Sequence, residues 1–403
     1  MRFSSSTSTN NFLFLNLSDH QIYLPGSICI NTNRTMDLEI VPIKRVALDI
    51  VTTNENRIGT SERSSTYFNT CNHRKDEISG IITANGHFEH TVPPWGPYMY
   101  SRWLDTMMTS QGLEKNKYRV ISFPPSLFND LMQCFSGWIN RGKLNEELVD
   151  DLAEAWLSSK YAPRIQEFLS DKHINESGDW FVRLDQNCPK DSELVPGPVR
   201  NIKDIIRKLA SSMRAYGALQ HEADEAQSQN REMNIKVFLT PWNKSMDPRH
   251  EFRVFVPPPG VRDCKHSGRS KKWYTSTEFR ISAISQYYLF RPFPVEEFSH
   301  AKDIAKSIFD DADSILVGLK ENIMGFDQNT HTQIMKHGFT FDVSWQGFGT
   351  SAKLVEINPF GAMSGCGGRL FNWLDDAKVL YGLGQPEKTY LNQGDQVLVR
   401  MTL

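Results

Sequence analysis

GFTFDVSWQGFGTSAKLVEINPFG, residues 338–361, reads as two strands joined by a glycine-rich turn. Phe339, Phe341, Val343 and Trp345 alternate with Thr340, Asp342, Ser344 and Gln346, the period of two of a half-buried strand. The alternation resumes over 353–358 after Gly-Phe-Gly-Thr, a connection suited to a hairpin, and sets Glu356 and Asn358 two residues apart on one face. If the strands pair, Asp342, Glu356 and Asn358 converge. Three oxygen donors without His or Cys suit a hard cation, and Mg²⁺ in particular takes one or two carboxylates plus phosphate oxygens and waters. Two readings stand side by side: a wall that holds Mg²⁺ and a nucleotide, or a hairpin whose polar face meets solvent.

Upstream, HEFRVFV (250–256) alternates so that Glu251, Arg253 and Phe255 share one face and Phe252, Val254 and Val256 the other. Arg253 suits a bidentate phosphate contact, or a structural pair with Glu251. ISAISQ (281–286) repeats the strand pattern and ends at Gln286. WFVRL (180–184) is a further strand, and Arg183 and Lys190 bracket the polar loop after it. Cations there would reach phosphates from an opposite lobe, or stay as a solvated surface. LTPW (239–242) closes a strand over 235–239 on a proline, either as a hinge whose backbone at Trp242 meets an adenine edge or as an ordinary strand end. GAMSGCGG (361–368) lacks both the GK[ST] ending of a P-loop and the GxSxG frame of a hydrolase, and reads as a mobile loop. The histidines sit in no triad or HExxH frame, so neither a catalytic triad nor a zinc site is supported. The basic stretch RDCKHSGRSKK (262–272) reads as a solvated hairpin loop.

The remaining pattern interleaves helices. YRVISF (118–123) is a strand, and Leu127, Leu131, Phe135 and Trp138 follow it at helical spacing. A helix over 145–158 starts on Asn145 as N-cap, with Glu146 and Glu147 in its first turn. A cationic amphipathic helix covers 201–213, and a long one over 299–319 carries the stripe Ala301, Ile304, Ala305, Ile308 and Ala312. Mixed strands and helices with late antiparallel hairpins predict an α+β fold, and a Rossmann fingerprint is missing. The 403 residues suffice for two or three domain-sized units. Residues 1–85, polar and uneven, read as a poorly ordered or peripheral leader in which Met36 would also serve as a start. Ordered lobes are expected over 86–235 and 236–384, with a tail from 385 to 403. A net charge of −2 gives no whole-protein field for nucleic acid or anionic membrane, so no direct nucleic-acid partner is expected. Six scattered cysteines without a CxxC pair fit a reducing, cytoplasmic setting, and no apolar run reaches the roughly 18 residues of a membrane span.

In order, PPWGPYM, YRVISFPPSLFNDL, WFVRLDQNCPKDS, DIIRKLASS, LTPW, HEFRVFV, ISAISQ, GFTFDV and KLVEINPFG resemble the cell-division-cycle protein 123 family across roughly 88–373. The resemblance implies an ATP-grasp fold, two α+β lobes with mixed and antiparallel sheets enclosing a nucleotide cleft that holds Mg²⁺ and ATP. It also implies the family's role as an assembly factor for eukaryotic translation initiation factor 2, binding its gamma subunit. Asp342, Glu356 and Asn358 fall on the family's metal positions, Glu251 and Arg253 on its EFR, and Gln286 on its SQ. This chain departs from the pattern at several places. Glu356 stands where Asp is expected and Arg183 where lysine is; Gln186, Asn187 and Cys188 replace an aromatic and serines; Ala210 replaces a lysine; and the insertion before ISAISQ is longer. Two other readings remain open: an ATP-dependent ligase joining a carboxylate to an amine or thiol through an acyl-phosphate, and an interaction module that no longer binds ATP.

Overall fold

The computed structural model describes residues 35–41, 92–259, 278–288, 293–294, 299–373, 375–382 and 396–402. In chain order they form β1 (Thr35–Val41), α1 (Tyr100–Gln111), β2 (Arg119–Phe123), α2 (Phe128–Arg141), α3 (Glu146–Leu157), α4 (Ile165–Ser170), β3 (Trp180–Leu184), α5 (Ile202–Ala210), α6 (Met213–Ser228) and β4 (Ile235–Pro241). There follow β5 (Glu251–Val256), β6 (Ala283–Gln286), α7 (Ala301–Met324), α8 (Gln328–His337), β7 (Phe339–Ser344), β8 (Lys353–Pro359), α9 (Ala377–Leu380) and β9 (Gln396–Thr402). The fold is α+β, as the pattern predicts. The basic stretch 262–272 lies outside the described residues.

Two sheets carry the architecture. A smaller antiparallel sheet has the order β2-β4-β3. A larger one runs β1-β9-β6-β5-β7-β8, antiparallel from β6 to β8 and parallel where β9 lies between β1 and β6. Side-chain alternation decides which face each sheet buries. Trp180, Val182 and Leu184 with Ile235, Val237 and Leu239 pack onto Leu131, Trp156 and Ile205 of the helices behind the smaller sheet. Phe252, Val254, Ile284, Phe341 and Val343 cover one face of the larger sheet and meet the α7 stripe and Trp103 and Met107 of α1. Each such fully buried aliphatic or aromatic side chain contributes about 1.5–3 kcal/mol. The other face of the smaller sheet presents Arg183 and its ladder partner Phe238 towards the larger one, where Phe238 meets the Tyr100 ring edge-on at 5.0 Å.

Local chemistry starts the helices where the sequence says. Asn145 accepts the Glu147 N–H and Asn201 the Asp204 N–H, satisfying donors that a helix start leaves open. Gly338 turns α8 into β7 at φ +70°, and a Cβ there would lie 2.6 Å from the Val256 carbonyl oxygen. Only glycine fits.

β4 (Ile235–Pro241) lies in the smaller sheet and runs across the expected division at 235/236, and α1 packs on the larger sheet's core. Within the expected leader, Thr35–Val41 is the edge strand of the larger sheet, and within the expected tail, Gln396–Thr402 is one of its inner strands. Both strands pair in parallel, and a parallel partner has no hairpin turn beside it to announce it.

Candidate functional site

The hairpin expected from residues 338–361 is present, with Asp342 opposite Glu356 and Thr340 opposite Asn358. Asp342 and Glu356 are therefore direct cross-strand neighbours, and Asn358 stands diagonally, about 7–8 Å away at Cα. β7 differs from expectation in one respect: all six of its residues are buried, so its polar face meets protein instead of solvent.

What meets Asp342 is Arg253. They are ladder partners on β5 and β7, and Nε and Nη2 of the arginine donate to Oδ1 and Oδ2, each at 2.8 Å. Nη1 donates to the Gly367 carbonyl at 3.0 Å. Arg253 is 3 % exposed and Asp342 not at all, so this is a desolvated, forked ion pair. The alternative partner, Glu251, is not the one Arg253 takes.

Across the seam, Arg183 of the smaller sheet reaches the larger one. Its Nη2 lies 3.3 Å from Glu356 Oε1, Nε donates to the Leu184 carbonyl, and the guanidinium stacks 3.9 Å above the Tyr100 ring. Burial works to raise the Glu356 pKa, but the charges of Arg183, Lys190 and Arg253 outweigh it and hold the carboxyl well below its ordinary range. Glu251 goes the other way, pushed up by burial and then by the Asp342 charge. Lys190 donates from Nζ to the Tyr287 hydroxyl at 2.7 Å. Although the residue is exposed in area, its ammonium keeps its proton more tightly than an ordinary lysine: burial opposes this, and Tyr287 and Glu356 overcome it.

Asn358 supplies the most direct sign of an unfilled role. Its Nδ2 is buried without a hydrogen-bond partner, a state rare enough in folded proteins to call for a ligand or a reason. Among the described residues no three His, Cys, Asp or Glu side chains gather at metal-binding range. A cation here would rest on two carboxylates and an amide, with phosphate oxygens and water completing its shell, a donor set that suits Mg²⁺. A carboxylate offers about four lone-pair sites, so the arginine contacts leave acceptors on both acids.

Two expected site residues stand elsewhere. Gln286 pairs with Phe252, which puts it on the face of the sheet opposite Arg253, and its Oε1 accepts the N–H and O–H of Thr402, each at 3.0 Å. It ties β9 into the sheet. Trp242 lies four residues beyond Phe238, the partner of Arg183, or about 13 Å along the strand. Its N–H is already given to the Asp179 carbonyl, so the donor an adenine edge needs is in use.

Sequence reasoning did not find Tyr287, Tyr100 or Arg369. Tyr287 directly follows ISAISQ and gathers Lys190, Arg253 and Arg369 within 4.9, 5.0 and 3.5 Å of its ring. In the loop 361–368, Ser364 Oγ donates to Gly361 O, Cys366 N–H to Ser364 Oγ, and the Trp373 indole to Cys366 O. A separate hollow of about 470 Å³, lined by His250, His300, Trp345 and Phe348 among others, contains none of the cluster's residues.

Fold and site together define a two-sheet α+β protein with a buried seam of interleaved arginines and carboxylates. No family model matches the chain, and no curated protein matches it in sequence. It is similar to the solved structures of Cdc123 from Schizosaccharomyces pombe and of a C-terminally truncated form of it. The two are 17% and 16% identical to it, and each match covers 75% of this chain and 95% of the other at a TM-score of 0.43. Among the described residues, no helix is long and apolar enough to cross a membrane.

Proposed function

We propose that the seam binds Mg²⁺ and ATP in the manner of an ATP-grasp protein, and that the bound form serves assembly of eukaryotic translation initiation factor 2 through its gamma subunit. The observation that carries the nucleotide part is the convergence, at one place between two sheets, of Asp342, Glu356 and the buried unpartnered amide of Asn358 with Lys190, Arg183 and Arg253. The two acids and the amide would hold the metal. Lys190 and the two arginines would face the phosphates, the arginines also orienting the acids. The ordered motifs that resemble the cell-division-cycle protein 123 family support the initiation-factor part.

A second reading has its own observation. Both Asp342 oxygens already accept from Arg253, as they would in an interaction module that no longer uses ATP. Calorimetry separates the two. Folded protein should take up ATP only when Mg²⁺ is present, and Asn358→Ala should weaken that uptake; no heat with saturating Mg²⁺ and ATP overturns the nucleotide reading. Capture of the gamma subunit without turnover supports the assembly role, whereas ADP release that depends on an added acid and amine replaces it with a ligase.

A further inference from the structure

Arg369 holds a position that needs explanation. It is a non-glycine residue at φ +60°, a left-handed conformation that L side chains avoid and that clusters at functional sites. The residues beside it are pinned: Gly367 O accepts from Arg253, Leu370 N–H donates to Ser285 Oγ, and Leu370 O accepts from Arg400. A Cβ at Gly368 would lie 2.3 Å from the Phe371 carbonyl, so the chain has no slack there either. The result lays the Arg369 guanidinium 3.5 Å from the centre of the Tyr287 ring, with its Nε buried and without a hydrogen-bond partner. Stacking alone leaves that donor unsatisfied, at a cost an acceptor would remove.

The charges around Tyr287 point the same way. Arg253 is neutralised by Asp342 and Arg183 by Glu356. Lys190 and Arg369, both against the Tyr287 ring, make no carboxylate ion pair among the described residues. Glu251 is a carboxyl whose charge acts on both, and Glu356 acts on Lys190 as well.

We infer that Lys190 and Arg369, both against the Tyr287 ring, form the anion subsite that takes the phosphate chain of a nucleoside triphosphate, while Arg183 and Arg253 chiefly hold the carboxylates in place. This rests on the nucleotide reading above and refines it: the phosphate contact moves to an arginine on the loop after β8. A fork of guanidinium donors fits phosphate oxygens in pairs, and the loop already holds it in place.

The test uses the full chain and two probes, inorganic tripolyphosphate and Mg·ATP, with wild type, Arg369→Gly and Arg369→Lys. Arg369→Gly removes the guanidinium while accepting the +60° backbone without strain, and thermal melting checks that the variant folds. Loss of a contact to a charged group predicts binding of both probes about 10- to 100-fold weaker in Arg369→Gly, with part restored in Arg369→Lys. Unchanged tripolyphosphate binding in Arg369→Gly overturns the inference while leaving the nucleotide reading intact. Tripolyphosphate binding that depends on Arg369, without uptake of Mg·ATP, upholds the anion subsite and overturns the nucleotide reading. Folded wild type that binds neither probe overturns both.

Discussion

Replacing Asp342 with asparagine removes half of a desolvated ion pair and leaves the other half buried. Arg253, 3 % exposed, would keep the Gly367 carbonyl at 3.0 Å and lose two charge-assisted contacts of 2.8 Å. The new amide offers one oxygen and turns a donor toward a guanidinium that is itself all donor. Breaking a buried pair from one side costs about 3–5 kcal/mol, a large share of the roughly 5–15 kcal/mol that holds a domain together. Replacing both partners by apolar groups of similar size is far milder, because no charge is stranded. Urea unfolding followed by tryptophan fluorescence reads the cost directly, since Trp103, Trp156, Trp180 and Trp373 are almost wholly buried. Asp342→Leu and Arg253→Met should each destabilise by about 3–5 kcal/mol, and the double variant should fall short of the sum by about 2 kcal/mol or more. Additive losses, or a cost below about 1 kcal/mol for Asp342→Asn, would refute the claim that this pair organises the seam.

Glu251 predicts a pH slope. Its carboxyl is pushed up to about 8 from an ordinary 4.5, by burial and then by Asp342, so the folded state binds the proton more tightly than the unfolded. That contribution is fully present below about 4.5 and lost as pH rises through about 8; urea midpoints of wild type should fall across this window and those of Glu251→Gln should not share that fall. Glu356, held low, works in reverse: its contribution is present above the ordinary glutamate range and lost as acid protonates it, so Glu356→Gln should flatten the acid limb of the same curve. Gly338→Ala forces a side chain into φ +70° and against the Val256 carbonyl at 2.6 Å, so thermal melting should show a loss of about 1–3 kcal/mol or more. A chain begun at Met36 keeps nearly all of β1 and should melt close to the full chain, whereas one begun at residue 42 bares the β9 edge and should melt lower and aggregate.

How much was legible follows from how local each signal is. The hairpin was readable because alternation and a glycine turn sit within 24 consecutive residues; the register that sets Asp342 opposite Glu356 was not, because it turns on a shift in the ladder between Asp342 and Val343. The partner of Asp342 was not readable, because Arg253 lies 89 residues away and nothing near either residue says that β5 and β7 are neighbours. TMDLEIV and QVLVRMT both alternate, yet each stands alone in a polar surrounding, and their pairing joins residues 361 apart, as in the Arg400–Glu39 contact. Gln286 was misplaced for a simpler reason. The alternation of ISAISQ is symmetric, and only the ladder with Phe252 decides that Gln286 faces the core side and Ser285 the seam.

Arginine at position 183 has a physical sense. A lysine there would present a point charge at the end of a flexible stem. Arg183 does three things at once: it stacks on Tyr100, donates to the Leu184 carbonyl and reaches Glu356 across the seam. Those contacts tie the sheets together and restrain the guanidinium. Glu356 has one methylene more than an aspartate, and its carboxylate reaches across the seam to the arginine. With Arg183 and Arg253 both engaged by acids in ion pairs, Lys190 and Arg369 stand against the Tyr287 ring without a carboxylate ion pair among the described residues. If the seam takes a phosphate chain as proposed, the arginines at 183 and 253 are already engaged by acids, and Lys190 and the left-handed Arg369 are the cations that would meet it.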